Sequence, residues 1–223
     1  MASPQPRIGV VTYPGSQDDR DALWALAASD AQAVPVWHEE RELPDLDAVV
    51  VPGGFSYGDY LRVGAIARFS PVMGQVARFA AGGGLVLGIC NGFQVLCEAG
   101  LLPGALLPNT SLRFVCRQVT LDAVETTPWT EAGDVLSIPA KHTTGRYWAP
   151  DEVLDELEAN GQVALRYAAG HNFNGSARDI AGVTNEGGNV LGLMPHPEHA
   201  VDPLTGSADG LRIFESVARV SIS

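Results

Sequence analysis

The sequence predicts an α/β protein built on an open, mostly parallel sheet with helices on both faces and an antiparallel β extension. Three observations carry this expectation. Short apolar runs alternate with amphipathic helical stretches through the first hundred residues, the pattern of strands joined by crossover helices. The middle of the chain then turns β-rich, with no long helices between its apolar runs. Finally, 223 residues with 46% hydrophobic and 18% charged content can bury one substantial core. No internal repeat, linker or low-complexity segment interrupts residues 1–223, which read as one domain.

Arg7-Ile8-Gly9-Val10-Val11 is the first strand, ended by the turn Tyr13-Pro14-Gly15-Ser16. Residues 18–28 follow as a helix, with Ala22, Leu23, Leu26 and Ala27 at helical spacing and acidic residues in the first turn, where the helix dipole favours them. Residues 33–37 and 48–51 are buried-type strands, and Pro35 confines the former to an edge or an early strand position. After Pro52-Gly53-Gly54 a loop rich in glycine and aromatics leads into a helix from about residue 65 to 80, and Leu85-Val86-Leu87 is the next strand. Phe93 to Ala99 is helix-compatible. Strand character returns over 112–121 and 135–138. A short helix over 151–160 has Pro150 before it and Gly161 after it. Three strands follow at 163–167, 180–184 and 190–194, the last two joined by the hairpin signal Asn185-Glu186-Gly187-Gly188-Asn189. A helix over 209–217 closes the order.

The formal charge of −12 and the scattered Lys and Arg argue against nucleic acid or an anionic membrane as a partner. No apolar run approaches the roughly 18 residues of a membrane span, and the first seven residues lack the features of a signal peptide. Three cysteines (Cys90, Cys97, Cys116) in a chain of this size are expected as free thiols in a reducing cytoplasm. Cysteines and histidines show no paired CxxC or HxxxH spacing, so no metal site is expected.

The chemistry concentrates in two stretches. In Gly88-Ile89-Cys90-Asn91-Gly92-Phe93-Gln94 an apolar strand runs into a cysteine between small residues and then into a helix. That is the layout of a nucleophile elbow, a sharp turn that lifts the side chain clear of the backbone. The start of a helix also supplies a partial positive charge that favours thiolate. A buried structural cysteine is the plainer alternative, and it suffices for Cys97 and Cys116. The second stretch, Met194-Pro195-His196-Pro197-Glu198, fixes an imidazole between two prolines, with a carboxylate two residues on that in an extended segment falls on the same side and could orient it. A turn histidine beside a solvated glutamate is its plainer reading. Gly53 and Gly54 permit close backbone approach, so amides there and at Asn91 could form an oxyanion hole. Gln94, one turn into the helix, is either a substrate-binding residue or an ordinary surface position.

Taken together and in this order, Pro52-Gly53-Gly54-Phe55-Ser56-Tyr57-Gly58-Asp59, the cysteine elbow and Met194-Pro195-His196-Pro197-Glu198 resemble the class I (triad-type) glutamine amidotransferases. The likeness is strongest to the branch of that family formed by the glutaminase subunits of phosphoribosylformylglycinamidine synthases, and it runs through nearly the whole chain. Two stretches depart from it. The chain has His142-Thr143-Thr144-Gly145 where the family has His-Gly-Glu-Gly, and Asn172-Phe173-Asn174 where Asn-Pro-Asn is usual. Both are expected outside the triad, facing a partner.

The resemblance implies a flavodoxin-like fold and a glutaminase with Cys90 as nucleophile, His196 as acid and base, and Glu198 as its orienter. Glutamine would be hydrolysed to glutamate and ammonia through a thioester. The ammonia would pass to a large ATP-binding synthetase subunit, accompanied by a small accessory subunit, which converts formylglycinamide ribonucleotide to formylglycinamidine ribonucleotide. The chain has no P-loop or other phosphate-cradling fingerprint. No cofactor is therefore expected in it, ATP and Mg being used by the synthetase. Two other classes remain: related elbow-cysteine hydrolases, peptidases or stress proteins, and a catalytically dead binding module.

Overall fold

A computed structural model of the chain describes residues 5–220; the first four residues of the N-terminal stretch lie outside them. The strands are β1 (Arg7–Thr12), β2 (Gln32–Trp37), β3 (Ala48–Val51), β4 (Leu85–Ile89), β5 (Ala105–Pro108), β6 (Val115–Ala123), β7 (Val135–His142), β8 (Thr144–Trp148), β9 (Val163–Tyr167), β10 (Ile180–Thr184) and β11 (Val190–Leu193). The helices are α1 (Asp19–Ala28), α2 (Pro71–Ala81), α3 (Asn91–Glu98), α4 (Asp151–Ala159) and α5 (Leu211–Val220).

Nine strands form one sheet in the order β2-β1-β3-β4-β11-β10-β9-β6-β7. Its first half is parallel: β1 pairs with β2 and β3, β3 with β4, and β4 with β11. From β11 onward every pairing is antiparallel, through β10, β9, β6 and β7. This is the expected α/β architecture, a flavodoxin-like sheet carrying an antiparallel extension. All residues of β3 and β11 are buried, as in strands covered on both faces. α1 packs with α5, while α3 lies against β3, β4 and β11. Pro35 sits in the edge strand β2, where its missing N–H costs no ladder bond.

Three expectations are corrected, and one sheet was not foreseen. The helix read from about residue 65 starts at Pro71, because Ser70 before the proline is extended (ψ 147°) and only a 3₁₀ turn, Ala67–Phe69, precedes it. The β run read from residue 112 begins at Val115, after a tight turn in which Leu112 has φ 54°. The strand read as 135–138 runs on to His142, because its pairing with β6 continues through Lys141 and His142. β5 and β8 form a second, two-stranded sheet that the sequence did not reveal.

Candidate active site

β3 and β4 are adjacent and parallel, so the loops at their carboxyl ends, Pro52-Gly53-Gly54 and Cys90, face one site. Cys90 has φ 50° and ψ −103°, a conformation non-glycine residues rarely adopt, at the junction of β4 and α3. The strain is held by packing. The Cys90 N–H donates to the Leu193 carbonyl (2.8 Å) and its carbonyl accepts from the Gln94 N–H (3.1 Å). The small neighbours are obligatory: a methyl on Gly92 would lie 1.8 Å from the Val51 carbonyl oxygen, and one on Gly88 would lie 2.5 Å from Leu96 Cδ1. Cys90 is only 7% exposed, yet it lies on the wall of a cavity of about 100 Å³, with its Sγ 3.9 Å from the Lys141 carbonyl oxygen.

His196 lines the same cavity. Its Nδ1 meets Glu198 Oε1 at 2.6 Å, both side chains being 1% exposed. Residues 197–199 form a 3₁₀ turn rather than the extended segment expected, and that turn carries the carboxylate back to the ring. Burial works against a charged imidazole here. The negative charges of Glu198 and of the Cys90 sulfur outweigh it and raise the His196 pKa well above its ordinary value. The sulfur acts on the ring at close range, while Nε2 completes no hydrogen bond of standard geometry.

Gly54 lines the cavity, and Asn91 opens α3 beside it. Gly54 has φ +134°, and its bridge to Ser16 is flanked by the amides of Gln17, which donates to the Gly53 carbonyl (3.5 Å), and Phe55, which donates to the Gly15 carbonyl (2.9 Å); the Gly54 amide stays outside that pairing. The Asn91 amide is an orphan donor of the first helical turn. Its side chain is engaged elsewhere, accepting from the Ser56 N–H (3.1 Å) and donating to Gln94 Oε1 (3.1 Å). Gln94 is buried and on the cavity wall, not a surface residue. Its Nε2 donates to the Thr144 carbonyl (2.6 Å), so its amide ties α3 to the start of β8. Gly53 is also required sterically: a methyl there would lie 2.4 Å from Asp18 Oδ2 and 2.8 Å from His196 Cε1.

Sequence reasoning missed Asp18 and the end of β7. Asp18 is buried just before α1 and reaches Lys141 Nζ (2.7 Å), His199 Nε2 (3.4 Å) and His196 Nδ1 (3.5 Å). Burial would raise its pKa, but the hydrogen bond from His199 and the positive charges of His196 and Lys141 hold the carboxyl well below the usual carboxylate range. The donor atoms of Asp18, His196, Glu198 and His199 fall within 4.8 Å of one another. Lys141 Nζ already pairs with one Asp18 oxygen of this group, at 2.7 Å.

His142, Thr143 and Thr144 line the cavity, and Phe173 packs on the His142 ring with centroids 5.2 Å apart. The first departure thus lines the cavity without joining the triad, as expected, while the second reaches it only through the contact of Phe173 with the His142 ring. His142 Nδ1 lies 3.0 Å from Asn109 Oδ1, while Asn109 Nδ2 donates to the His142 and Arg113 carbonyls. That arrangement makes the Asn109 oxygen the acceptor and fixes the proton on Nδ1. Burial, with His196 adding to it, pushes the His142 pKa down to about 3, so this ring is neutral beside the site. Cys97 donates to the Pro103 carbonyl (3.8 Å) with its thiol pKa pushed up by burial, and Cys116 is exposed on β6; neither lines the cavity.

A family model described as a CobB/CobQ-like glutamine amidotransferase domain matches residues 5–216. The chain belongs to this glutamine amidotransferase family. Similar amidotransferase chains include the phosphoribosylformylglycinamidine synthase subunit PurQ of Streptomyces avermitilis, 57% identical with 96% of this chain and 97% of that one covered. The subunit of the same name from Rubrobacter xylanophilus is 58% identical over 95% of this chain and 97% of its own length. Among solved structures, a chain in the structure of PurLQS from Thermotoga maritima superposes with a TM-score of 0.89 at 45% identity, covering 97% of this chain and 99% of that one. Another glutamine amidotransferase of Thermotoga maritima, 14% identical with a TM-score of 0.63 over 98% of this chain and 99% of its own, shares the fold.

Proposed function

We infer that the chain is the glutaminase subunit of a phosphoribosylformylglycinamidine synthase. The observation that carries the chemistry is a strained Cys90 sharing one small cavity with an imidazole that is bonded to a buried carboxylate. In the proposed reaction, the Cys90 sulfur attacks the side-chain amide carbon of glutamine, forming the S–C bond. The tetrahedral oxyanion is held by the amides of Gly54 and Asn91. His196, charged and held by Glu198, gives its proton to the amide nitrogen as the C–N bond breaks, and ammonia leaves. The same imidazole then takes a proton from water, which cleaves the thioester to glutamate and returns the thiol. Gln94 and Thr144 form the wall against which the substrate head sits.

Ammonia in neutral water becomes ammonium, which is not a nucleophile, so the product must pass directly to a second site. ATP and Mg belong to that site, on the synthetase, and a small accessory subunit completes the assembly; this chain needs no cofactor and works in the cytoplasm as one amidotransferase domain. Half-exposed Phe55 and Phe114 stand at the cavity, with Tyr60, Leu61 and Leu112 exposed nearby in sequence, and these favour a partner over the mouth of the site. The isolated chain is therefore expected to hydrolyse glutamine poorly. No helix of the described residues is long and apolar enough to cross a membrane. The test is reconstitution with the synthetase. Cys90→Ser should abolish amidine formation from glutamine and leave formation from ammonium salts intact. Glutamine-dependent turnover in that variant would refute the assignment.

A further inference from the structure

We propose that Asp18 is a second positioning carboxylate for His196, with its charge metered by Lys141. The inference rests on the glutaminase reading above and adds to it a control element from the other end of the chain.

The geometry is specific. Glu198 takes the hydrogen bond of Nδ1 at 2.6 Å, and Asp18 Oδ2 stands 3.5 Å from the same nitrogen. That is too long to compete for the hydrogen bond but close enough to act through its field. Asp18 is itself buried and its other oxygen is occupied, by Lys141 Nζ at 2.7 Å and His199 Nε2 at 3.4 Å. The His199 ring lies parallel to that of His196, with centroids 5.2 Å apart at 6°, so the pair is stacked as well as bridged. Gly53 leaves the space in which Asp18 and His196 meet, since any Cβ there would strike both.

Lys141 connects this carboxylate to the nucleophile. Its side chain ends on Asp18, and its backbone carbonyl is the one that faces Cys90 Sγ at 3.9 Å. One residue therefore touches both parts of the site, through its side chain the carboxylate and through its carbonyl the thiol, and its ion pair joins the loop after β1 to the end of β7. The titratable and charged groups around the imidazole come from every side: Glu198 and His199 on its own turn, Asp18 before α1, Cys90 at the elbow, and Lys141 and His142 at the end of β7. Asp21 on α1 stands behind His199 at 3.4 Å. The Asp18–Lys141 pair can be altered in two opposite senses. Removing the carboxylate takes negative charge from the ring. Removing the ammonium leaves that negative charge uncompensated.

The experiment uses the full chain in complex with its synthetase and follows the rate at which a diazoketone analogue of glutamine inactivates it across pH. Asp18→Asn should move the basic limb of the profile, set by loss of the imidazolium proton, downward by about 1 pH unit. Lys141→Met should move it upward. The double variant should follow Asp18→Asn, because Lys141 acts through Asp18. A role confined to holding the fold would lower rates in both variants without moving the limbs in opposite directions, and that result overturns the proposal. Should Asp18→Asn fail to fold, Lys141→Met carries the test alone, and an unmoved limb in it is sufficient refutation. A wild-type complex that the analogue does not label at Cys90 would instead sink the glutaminase reading.

Discussion

Gly53→Ala is a small change in a crowded place. The new methyl would lie 2.4 Å from Asp18 Oδ2 and 2.8 Å from His196 Cε1. Ordinary contact needs about 3.4 Å or more, so these groups must retreat by roughly 0.6 to 1 Å. Neither can swing away cheaply. Asp18 is pinned by Lys141 at 2.7 Å and His196 by Glu198 at 2.6 Å, and both residues are buried. Overpacking of this kind costs about 1–3 kcal/mol of stability, and a displacement near 1 Å in a catalytic group costs about 10²-fold in rate. The assay compares glutamine-dependent with ammonium-dependent turnover of the assembled synthase. The first should fall by about two orders of magnitude and the second should stay at the wild-type level. Unchanged glutamine-dependent turnover in a folded Gly53→Ala complex would refute the reasoning that this glycine exists to seat Asp18 and His196.

Glu198→Gln keeps a hydrogen-bonding group on Nδ1 but removes the charge that holds the imidazole proton, so the basic limb of glutamine-dependent turnover should fall by about 1–3 pH units; an unmoved limb would contradict the role given to the carboxylate. Because the folded-state pKa of His196 is raised, its stabilising contribution is full below the ordinary histidine value and lost as pH rises through the folded value. The deficit of Glu198→Gln in denaturant titrations should therefore be largest on the acid side. His142 has the opposite sign: its pKa is lowered from 6.5 to about 3, so the unfolded chain takes the proton first and stability is lost as pH falls through that window. The slope is about 1.4 kcal/mol per pH unit, and His142→Asn, whose amide can keep the bond to Asn109, should flatten it. An identical acid profile for that variant would remove the case for a neutral buried ring. Gly92→Ala drives a methyl into the Val51 carbonyl oxygen and should cost about 3 kcal/mol or more, measured as a lowered unfolding midpoint together with loss of Cys90 labelling.

The parallel half of the sheet was legible because each of its strands is a continuous apolar run with turn residues at its ends, and the elbow was legible because small residues flank Cys90. His196 and Glu198 were found from the prolines around them, although the turn that joins them was read as extended. Asp18 was not found, because an acidic residue ahead of a helix already has a sufficient local reason to be there. Only the close approach of the loop after β1 to Gly53 turns its side chain into the site. Lys141, His142 and Thr144 were missed because the apolar signal of β7 stops at Ile138, and the strand continues only through its ladder with β6, a long-range pairing that local periodicity does not record. The helix assigned from residue 65 failed on local chemistry that was available, the extended preference of a residue before proline.

The most direct test of the whole account is covalent capture. The wild-type complex, treated with a diazoketone analogue of glutamine and digested, should yield one modified peptide bearing the adduct on Cys90, and excess glutamine should suppress it. An adduct on Cys97 or Cys116 instead, or a Cys90 adduct indifferent to glutamine, would mean that the bend at the end of β4 does not present a glutaminase nucleophile.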